Sequence, residues 1–253
     1  MKISRLEINS EDFDIIHHST TSKGNQAKYT DGNIWIKTNY LGYEDVAEYI
    51  CSQLLKCSNI TDFVTYELCS FDGQDACYSK DFLKPGERIL TLGRILALYG
   101  ITQVTIDRLP TTKERFDLVV NTIKQYAQID ITEYLSNILA FDAVVMNEDR
   151  HIFNLAIIYS DETKMYRPCP IFDNGLSLMS DTHHYPEYTS PIINMRRIKS
   201  KPFNTSFKKQ FEVCTPTIRF DTKKVKELLQ KIDNERISKI ISRAIQEYPS
   251  LFI

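Results

Sequence analysis

The feature that most constrains this chain is a short polar stretch, Met146–Asn154, enclosed by two strongly apolar runs. The run before it, from 135 to 145, has apolar residues on nearly every side of a helix, which predicts a largely buried helix. The run after it, from 155 to 159, is typical of a buried strand. The helix therefore delivers the polar loop, in which Asp149 and Asn154 lie five residues apart.

A second carboxylate, Asp173, follows the next apolar strand within Ile171-Phe172-Asp173-Asn174-Gly175. Phosphoryl transfer requires one Asp to receive the acceptor's proton, and one Asn and one Asp to hold Mg²⁺ on nucleotide phosphates. Protein kinases place the base Asp and the metal Asn at the same separation, followed by Asp-Phe-Gly. The layout predicts Asp149 as catalytic base and Asn154 and Asp173 as Mg²⁺ ligands. Each residue alone is common as a cap or turn residue, so the prediction depends on their order and spacing.

Composition excludes several classes of protein. The 253 residues are 42% hydrophobic and 25% charged, which is ordinary for a globular protein of one large domain or two lobes sharing a cleft. The net charge of −2 provides no overall field for nucleic acid or an anionic membrane. The six cysteines form no C-x-x-C pair, which favours reduced thiols in a cytosolic protein. We expect neither a signal peptide nor a membrane span, since no apolar run approaches about 20 residues. The sequence thus predicts a cytoplasmic protein.

The N-terminal third reads as strands and turns around one helix. Thr30-Asp31-Gly32-Asn33 is a hairpin signal, and the strand after it ends at Lys37. The small polar residues 17–29 before it could lie over phosphates, with an ordinary surface loop as the alternative. The apolar spacing of Tyr43–Leu55 predicts a helix with one buried face, on which Glu48 is the acid best placed to pair with Lys37. Such a pair would aim the lysine at the nucleotide phosphates.

A lobe boundary is predicted at Lys84-Pro85-Gly86-Glu87, after two strands within 62–69 and 76–83. The segment just before it, Cys77–Phe82, would form a hinge whose backbone meets an adenine base. The alternative is a strand that simply leaves the sheet for a helix. This interpretation gives residues 1–84 to an N-terminal lobe and residues 85–253 to a C-terminal lobe.

The C-terminal part is predicted to be mainly helical. Capping signals at Thr111–Glu114 and Asp130–Glu133 start helices that run to Tyr126 and to about Met146, and two amphipathic helices lie near 221–232 and 235–248. Between them, 176–204 is irregular. Its histidine pair has no partner at metal-ligand spacing, so no zinc site is predicted. Its basic cluster, Arg196-Arg197 with Lys199–Lys201, could bind an acidic or phosphorylated segment, and a solvated loop is the alternative.

In this order the motifs resemble the HipA-like serine/threonine kinases, in particular their short single-domain members, which include the cell-translocating kinase type. The resemblance extends from about Ser19 to the last helices. Its most specific pieces are Asn147-Glu148-Asp149-Arg150-His151-x-x-Asn154 and Ile171–Gly175. Gly24-Asn25-Gln26-Ala27-Lys28 resembles the family's phosphate-loop Gly-x-Gln-x-Lys, and Glu48–Cys51 resembles its helix motif of Asn-Glu-Tyr-Tyr-Cys type.

The resemblance implies an α+β, bilobal protein-kinase-like fold, with a small β-rich N-lobe and a larger, mainly helical C-lobe. It implies an ATP- and Mg²⁺-dependent serine/threonine kinase that acts on a protein substrate and has an antitoxin protein as a partner. No direct DNA binding is expected, because the chain has no room for the extra N-terminal subdomain of full-length members. Asp149, Lys37 and Asn154 are the implied catalytic residues. The residues implied to contact the nucleotide are Thr21, Ser22, Gly24, Gln26, Lys28, Lys37, Glu48, Tyr78, Lys80 and Asp173.

The family also places a regulatory serine three residues before the loop glycine, where its autophosphorylation ejects the loop. The matching position here is Thr21, with Ser19, Thr20 and Ser22 alongside. An alternative is a lipid (phosphatidylinositol-type) or small-molecule phosphotransferase, because lipid kinases share Asp-Arg-His-x-x-Asn and a second Asp-x-Gly. A third hypothesis is a nucleotide-binding module without turnover.

Overall fold

The computed structural model describes residues 5–16 and 27–253 and has a mixed α+β architecture. Its strands lie in two separate sheets. The strands of the larger sheet are β1 (Leu6–Ile8), β2 (Asp14–Ile16), β3 (Lys28–Thr30), β4 (Ile34–Thr38), β5 (Glu67–Phe71) and β6 (Gln74–Lys80). Those of the smaller sheet are β7 (Glu87–Thr91), β8 (Ala156–Ser160) and β9 (Tyr166–Pro168). The larger sheet has the order β1-β5-β6-β4-β3-β2 and is antiparallel except for the β1–β5 pair, and the smaller sheet is an antiparallel β7-β8-β9.

Apart from α1, the helices follow the larger sheet in the chain. They are α1 (Glu44–Lys56), α2 (Leu92–Leu98), α3 (Gln103–Asp107), α4 (Thr112–Ala127), α5 (Thr132–Val145), α6 (Pro191–Met195), α7 (Phe207–Phe211), α8 (Thr222–Lys231) and α9 (Glu235–Glu247). No described helix combines the length and the apolar character that crossing a bilayer requires. The helices predicted from capping signals and amphipathic spacing are confirmed within one or two residues at their ends.

The hairpin between β3 and β4 fixes which residues face each other in the larger sheet. Its turn forms where it was predicted, because Asp31 Oδ1 accepts hydrogen bonds from the backbone N–H groups of Asn33 (2.7 Å) and Ile34 (2.8 Å). The resulting register places Lys28 directly opposite Lys37. Neighbours on adjacent strands share one face of a sheet, so both lysines lie on the same side.

Helix α1 packs on the sheet face that carries Lys37. The apolar layer on this face includes Tyr66, Leu68 and Cys77, while Ile36 and Phe71 belong to a separate cluster on the opposite face. This alternation follows from the two-residue period of strands. It buries Lys37, which is 7% exposed, in the layer between the sheet and α1.

The main core is built around α5, in which every residue from Leu135 to Val145 is buried. Its first turn is supported by Asp130, whose Oδ1 accepts a hydrogen bond from the Thr132 N–H (2.9 Å). The helix ends because Met146 adopts a left-handed conformation with φ +55°, which is uncommon for a bulky residue. The polar loop begins at this turn.

Two elements differ from the sequence predictions. The strand predicted from Asp62 begins only at Glu67, because Val64 instead donates its N–H to the Ile171 carbonyl (2.9 Å). The smaller sheet lies in a region that was predicted to be mainly helical. Its first strand starts at Glu87 and the last strand of the larger sheet ends at Lys80, so the boundary predicted at residues 84 and 85 falls between the two sheets.

Candidate active site

A buried ion-pair cluster joins the larger sheet, α1 and the segment after Ile171. Lys37 Nζ lies 2.5 Å from Glu48 Oε1 and 2.7 Å from Asp173 Oδ1. The other Glu48 oxygen, Oε2, accepts a hydrogen bond from the Asn174 N–H (2.8 Å). The expected pairing of Lys37 with Glu48 is therefore present, and the same carboxylate also holds the backbone beside Asp173.

The charges in this cluster stabilise one another. Burial alone would lower the pKa of Lys37, but the carboxylates of Asp173 and Glu48 outweigh it and raise that pKa well above its usual value. Burial would raise the pKa of Asp173, but Lys37 and Lys28 lower it far below its ordinary range. Both side chains are thus charged at neutral pH. A fixed cation and a fixed carboxylate lie side by side where the larger sheet, α1 and the segment after Ile171 meet, and this place is called the cleft below.

The polar loop after α5 presents Asp149 at the edge of the same cleft. Asn147 Oδ1 accepts a hydrogen bond from the Asp149 N–H (2.9 Å), which closes an Asx turn directly after the left-handed Met146. The side chain of Asp149 is 26% exposed, so its carboxylate remains accessible. This accessibility is what a residue that takes a proton from an incoming hydroxyl requires.

Asn154 is held with its oxygen free. Its amide nitrogen Nδ2 donates to the Asp149 carbonyl (2.9 Å) and to Asp149 Oδ2 (3.3 Å). Its Oδ1 is buried and has no hydrogen-bond partner among the described residues. A buried oxygen without a partner is costly unless another group binds it. Amide and carboxylate oxygens are suitable Mg²⁺ ligands, so Asn154 Oδ1 together with Asp173 fits a divalent cation.

Arg150 ties the two predicted ligand segments together from beneath. Its guanidinium is 1% exposed and donates to the carbonyls of Asn154 (3.2 Å) and Phe172 (2.8 Å) and to Asn174 Oδ1 (2.6 Å). Its Nε also pairs with the buried Asp142 of α5 (3.1 Å). Because one buried side chain contacts both segments, the backbone of Asn154 is held close to the residues on either side of Asp173. Asp142, a carboxylate inside an apolar helix, is the sequence signal that indicates a buried cation nearby.

Lys28 lies in the same electrostatic environment. Burial lowers its pKa, while Asp173, Glu48 and Asp149 act in the opposite direction. Lys28 lies opposite Lys37 on the sheet, and it is one of the cations that lower the pKa of Asp173. Lys28 was predicted from the Gly-x-Gln-x-Lys likeness, and its position beside Lys37 brings it to the site.

A second cation, Lys201, reaches Asp149 from a distant part of the chain. Its Nζ lies 3.1 Å from Asp149 Oδ1. Sequence analysis missed this contact, since it treated the lysine only as part of a basic cluster. The 52-residue separation gives no local signal for it.

The loop that carries Lys201 is anchored on the helical core. Gln210 donates to the Lys201 carbonyl (2.9 Å) and accepts from the Phe203 N–H (3.0 Å). The ring of Phe203 is fully buried against Phe116 of α4, with 5.6 Å between ring centroids. The backbone of Lys201 is therefore fixed, and its flexible side chain reaches the catalytic loop.

His151 is the third group around Asp149. Its Nδ1 accepts a hydrogen bond from the Phe153 N–H (3.2 Å), which places the proton of the neutral ring on Nε2. Nε2 lies 3.8 Å from Asp149 Oδ2 and has no hydrogen-bond partner among the described residues. Burial lowers the pKa of this ring, which favours its neutral form. His151 therefore directs an N–H group toward Asp149 without adding a charge.

Some predicted residues are not brought to the site. The side chain of Tyr78 packs with Ile36 and Phe71 on the sheet face opposite Lys37, and Lys80 follows it on that same face. Their side chains cannot contact a nucleotide beside Lys37, because alternate residues of a strand point to one face. Only their backbone is left for the predicted hinge contact. The predicted residues Thr21, Ser22, Gly24 and Gln26 lie outside the described residues.

The predicted metal ligands, Asn154 and Asp173, are two residues rather than a larger cluster. Within residues 5–16 and 27–253, no three His, Cys, Asp or Glu side chains lie together in a way that would hold a metal ion. Mg²⁺ in nucleotide sites is usually held by one or two protein ligands, together with phosphate oxygens and water. A pair formed by Asn154 and Asp173 is consistent with that pattern.

No protein-family model matches the sequence, and no curated protein matches it. Among solved structures, the chain is similar to the proinflammatory kinase CtkA of Helicobacter pylori, with a TM-score of 0.65 and 13% sequence identity. The match covers 98% of this chain and 95% of CtkA. The chain has a kinase fold. This confirms the α+β, kinase-like fold expected from the sequence, and it confirms the likeness to the short kinases at the level of the fold.

A second solved structure is that of HipA from Shewanella oneidensis, in a complex with HipB and operator DNA. The TM-score is 0.42 and the identity 12%, over 87% of this chain and 50% of HipA.

Proposed function

We propose that this chain is an ATP- and Mg²⁺-dependent protein kinase that transfers the γ-phosphoryl group of ATP to a serine or threonine hydroxyl. The observation that carries the proposal is the convergence of Asp149, Asn154 and Asp173 in one cleft with a buried, charged Lys37. These are the residue types that phosphoryl transfer requires. The kinase fold of the chain supports this assignment.

Each residue has a distinct role in this proposal. Asp149 accepts the proton of the acceptor hydroxyl as the hydroxyl oxygen bonds to the γ-phosphorus and the bond to the β,γ-bridging oxygen breaks. Asn154 Oδ1 and Asp173 would hold Mg²⁺, which neutralises charge on the phosphates when it is bound. Lys37, fixed by Glu48, contacts the phosphate oxygens. Positioning and electrostatic stabilisation then account for most of the acceleration.

Lys201 and His151 both lie near the Asp149 carboxylate. The Lys201 ammonium keeps Asp149 in one orientation and provides positive charge next to the transferred group. Asn154 Nδ2 donates to the second carboxylate oxygen, and the His151 ring lies near the same oxygen, with 3.8 Å between Nε2 and Oδ2. Both groups leave Asp149 accessible, so an acceptor hydroxyl can approach it.

The regulatory and partner predictions belong to the same proposal. We infer that the chain phosphorylates itself near Thr21, on the basis of the sequence likeness around Gly24–Lys28. An antitoxin protein as a partner and a cytoplasmic location likewise follow from the sequence predictions. Each of these needs its own experiment.

The direct test is transfer of label from γ-labelled ATP with Mg²⁺ to three acceptors in parallel, namely a casein-type protein, phosphatidylinositol vesicles and an aminoglycoside. The proposal expects label in the protein and in the chain itself, and none with Asp149→Asn. Mass spectrometry should place the chain's own phosphate within 19–22. Label confined to vesicles or the aminoglycoside would favour the lipid or small-molecule alternative instead. Full activity of Asp149→Asn would refute the assigned base.

A further inference from the structure

A long basic stretch borders the candidate active site. From Tyr188 to Phe211 the chain contains no acidic residue, although 33 acids in 253 residues would place about three in a stretch of this length. The same stretch carries six cations. They are Arg196, Arg197, Lys199, Lys201, Lys208 and Lys209, and all six are exposed. The net charge of the whole chain is −2, so this positive charge is local.

The cations of this stretch are mostly without an acidic partner. Some exposed cations elsewhere do pair with acids, as in Arg88–Asp161 (2.8 Å) and Lys239–Glu235 (2.6 Å). Within the described residues, the stretch forms one ion pair, between Lys201 and Asp149. The remaining five cations have no acid within 4 Å in that part of the chain. The protein's own carboxylates therefore leave this positive surface available to a partner.

Two contacts connect this surface to the catalytic loop. Lys201 touches Asp149 directly, as described above. The guanidinium of Arg197 lies over the Tyr185 ring, 5.7 Å from its centroid, and the Tyr185 hydroxyl donates to Glu148 (2.6 Å). Glu148 is the neighbour of Asp149 in the chain. Lys201 thus contacts the candidate base, and Arg197 is connected through Tyr185 to the residue beside it in the chain.

The backbone presents these cations with a regular spacing. Residues 198–201 are not helical, and their side chains alternate, with Ile198 and Ser200 buried and Lys199 and Lys201 exposed. This is the pattern of an extended chain, in which alternate residues lie about 6.5 Å apart on one face. An extended peptide has the same spacing between its residues i and i+2. If its acceptor side chain lies at Asp149, beside Lys201, the side chain two positions away lies beside Lys199.

From this match, we propose that residues 196–201 bind the acceptor segment of a protein substrate that carries Asp, Glu or a phosphorylated residue two positions from the phosphorylated Ser or Thr. The inference rests on the proposed kinase function. Lys199 and Arg197 pair with the acidic side chain, and the anchoring of the loop by Gln210 and Phe203 keeps the cations in place before the substrate arrives. Guanidinium and ammonium groups bind carboxylates and phosphates through charge-assisted hydrogen bonds.

A peptide fits this surface better than a membrane or a nucleic acid does. Helix α6, which precedes the basic stretch, has only five residues, too few for an amphipathic helix that lies in a membrane interface. The chain as a whole has a net charge of −2, whereas nucleic-acid-binding domains are usually basic as a whole. The direct contact with Asp149 also links this surface to the acceptor rather than to a remote ligand.

The experiment uses synthetic peptides with one central serine in an alanine–glycine background, with Glu or Lys placed singly at each position from −4 to +4. Wild type should prefer Glu at −2 or at +2 by about three- to tenfold in kcat/KM, mainly through KM. Lys199→Glu should abolish or reverse that preference. Lys223→Glu, at an exposed position on α8 that makes the same change in charge, should leave it intact.

Binding of the same peptides, labelled with a fluorophore and measured without ATP, separates this inference from the proposed function. One outcome would support the surface and refute the kinase: the peptides bind with a preference for Glu that is lost in Lys199→Glu, but they are never phosphorylated. Peptides phosphorylated equally with Glu, Ala or Lys at both positions would refute the surface and leave the kinase intact. A Glu preference unchanged in Lys199→Glu would refute the assigned residue. Binding of an RNA hairpin or of phosphatidylserine vesicles that depends on Lys199, without any peptide preference, would also overturn the proposal.

Discussion

Replacement of Arg150 by Met tests the contact that joins the two predicted ligand segments. The guanidinium is 1% exposed, and its removal leaves the equally buried Asp142 carboxylate without its cation. Breaking a buried ion pair in this way costs about 3–5 kcal/mol. The carbonyls of Asn154 and Phe172 and the amide oxygen of Asn174 also lose a donor. Since folded domains are stable by only about 5–15 kcal/mol, Arg150→Met should lower the free energy of unfolding by a large fraction.

The matched control is the double variant Asp142→Leu with Arg150→Met, which removes the charge as well as its partner. It should recover about 2 kcal/mol relative to Arg150→Met alone, because no unpaired carboxylate stays buried. Urea unfolding followed by circular dichroism measures both differences. The double variant should still fail to transfer phosphate, because nothing then holds Asn154 beside the segment at Phe172. A single variant within about 0.5 kcal/mol of wild type, or a double variant no more stable than the single, would refute this reasoning.

Two further predictions concern one side chain and two glycines. Lys201→Met should lower kcat about a hundredfold with little change in the KM for ATP, because it removes only the cation beside the catalytic carboxylate. Lys201→Arg keeps a cation there and should retain part of the activity. An unchanged kcat of Lys201→Met in steady-state kinetics would contradict the assigned role. Gly42→Ala should destabilise the fold by at least about 1–3 kcal/mol, because the added Cβ would lie 2.2 Å from the backbone oxygen of Ser180. Gly93→Ala should lower the free energy of unfolding by less than Gly42→Ala does, since its Cβ would meet the Phe153 ring at 2.7 Å and a side chain can move aside. Equal melting temperatures for the two variants would contradict this comparison.

Local sequence signals predicted the parts of the fold that local interactions determine. The hairpin at Thr30–Asn33 forms because an aspartate caps its own turn, and α4 begins with the predicted capping box at Thr111 and Glu114. The position of the Asp149 loop followed from the apolar helix before it and the apolar strand after it. These signals act over a few residues, so a sequence displays them directly.

Contacts between distant residues were harder to predict. The contacts of Arg150 with Phe172 and Asn174, and the reach of Lys201 to Asp149, depend on how separate segments pack, and the chain near each residue does not reveal them. The orientation of Tyr78 depends on the register of β6 in the sheet, because a shift of one residue reverses the two faces. Strand β8 was predicted, but its sheet was not, because its partner β7 lies far from it in sequence and pairs with it only in the folded protein.

The central claim is that Asn154 and Asp173 hold the metal ion on ATP while Asp149 acts on the acceptor. Calorimetric titration of ATP with and without Mg²⁺ tests this division most directly, in wild type, Asp173→Asn and Asp149→Asn. The account predicts Mg²⁺-dependent ATP binding in wild type and in Asp149→Asn, and its loss in Asp173→Asn. Equal Mg²⁺-dependent binding in Asp173→Asn, or loss of that binding in Asp149→Asn alone, would contradict it.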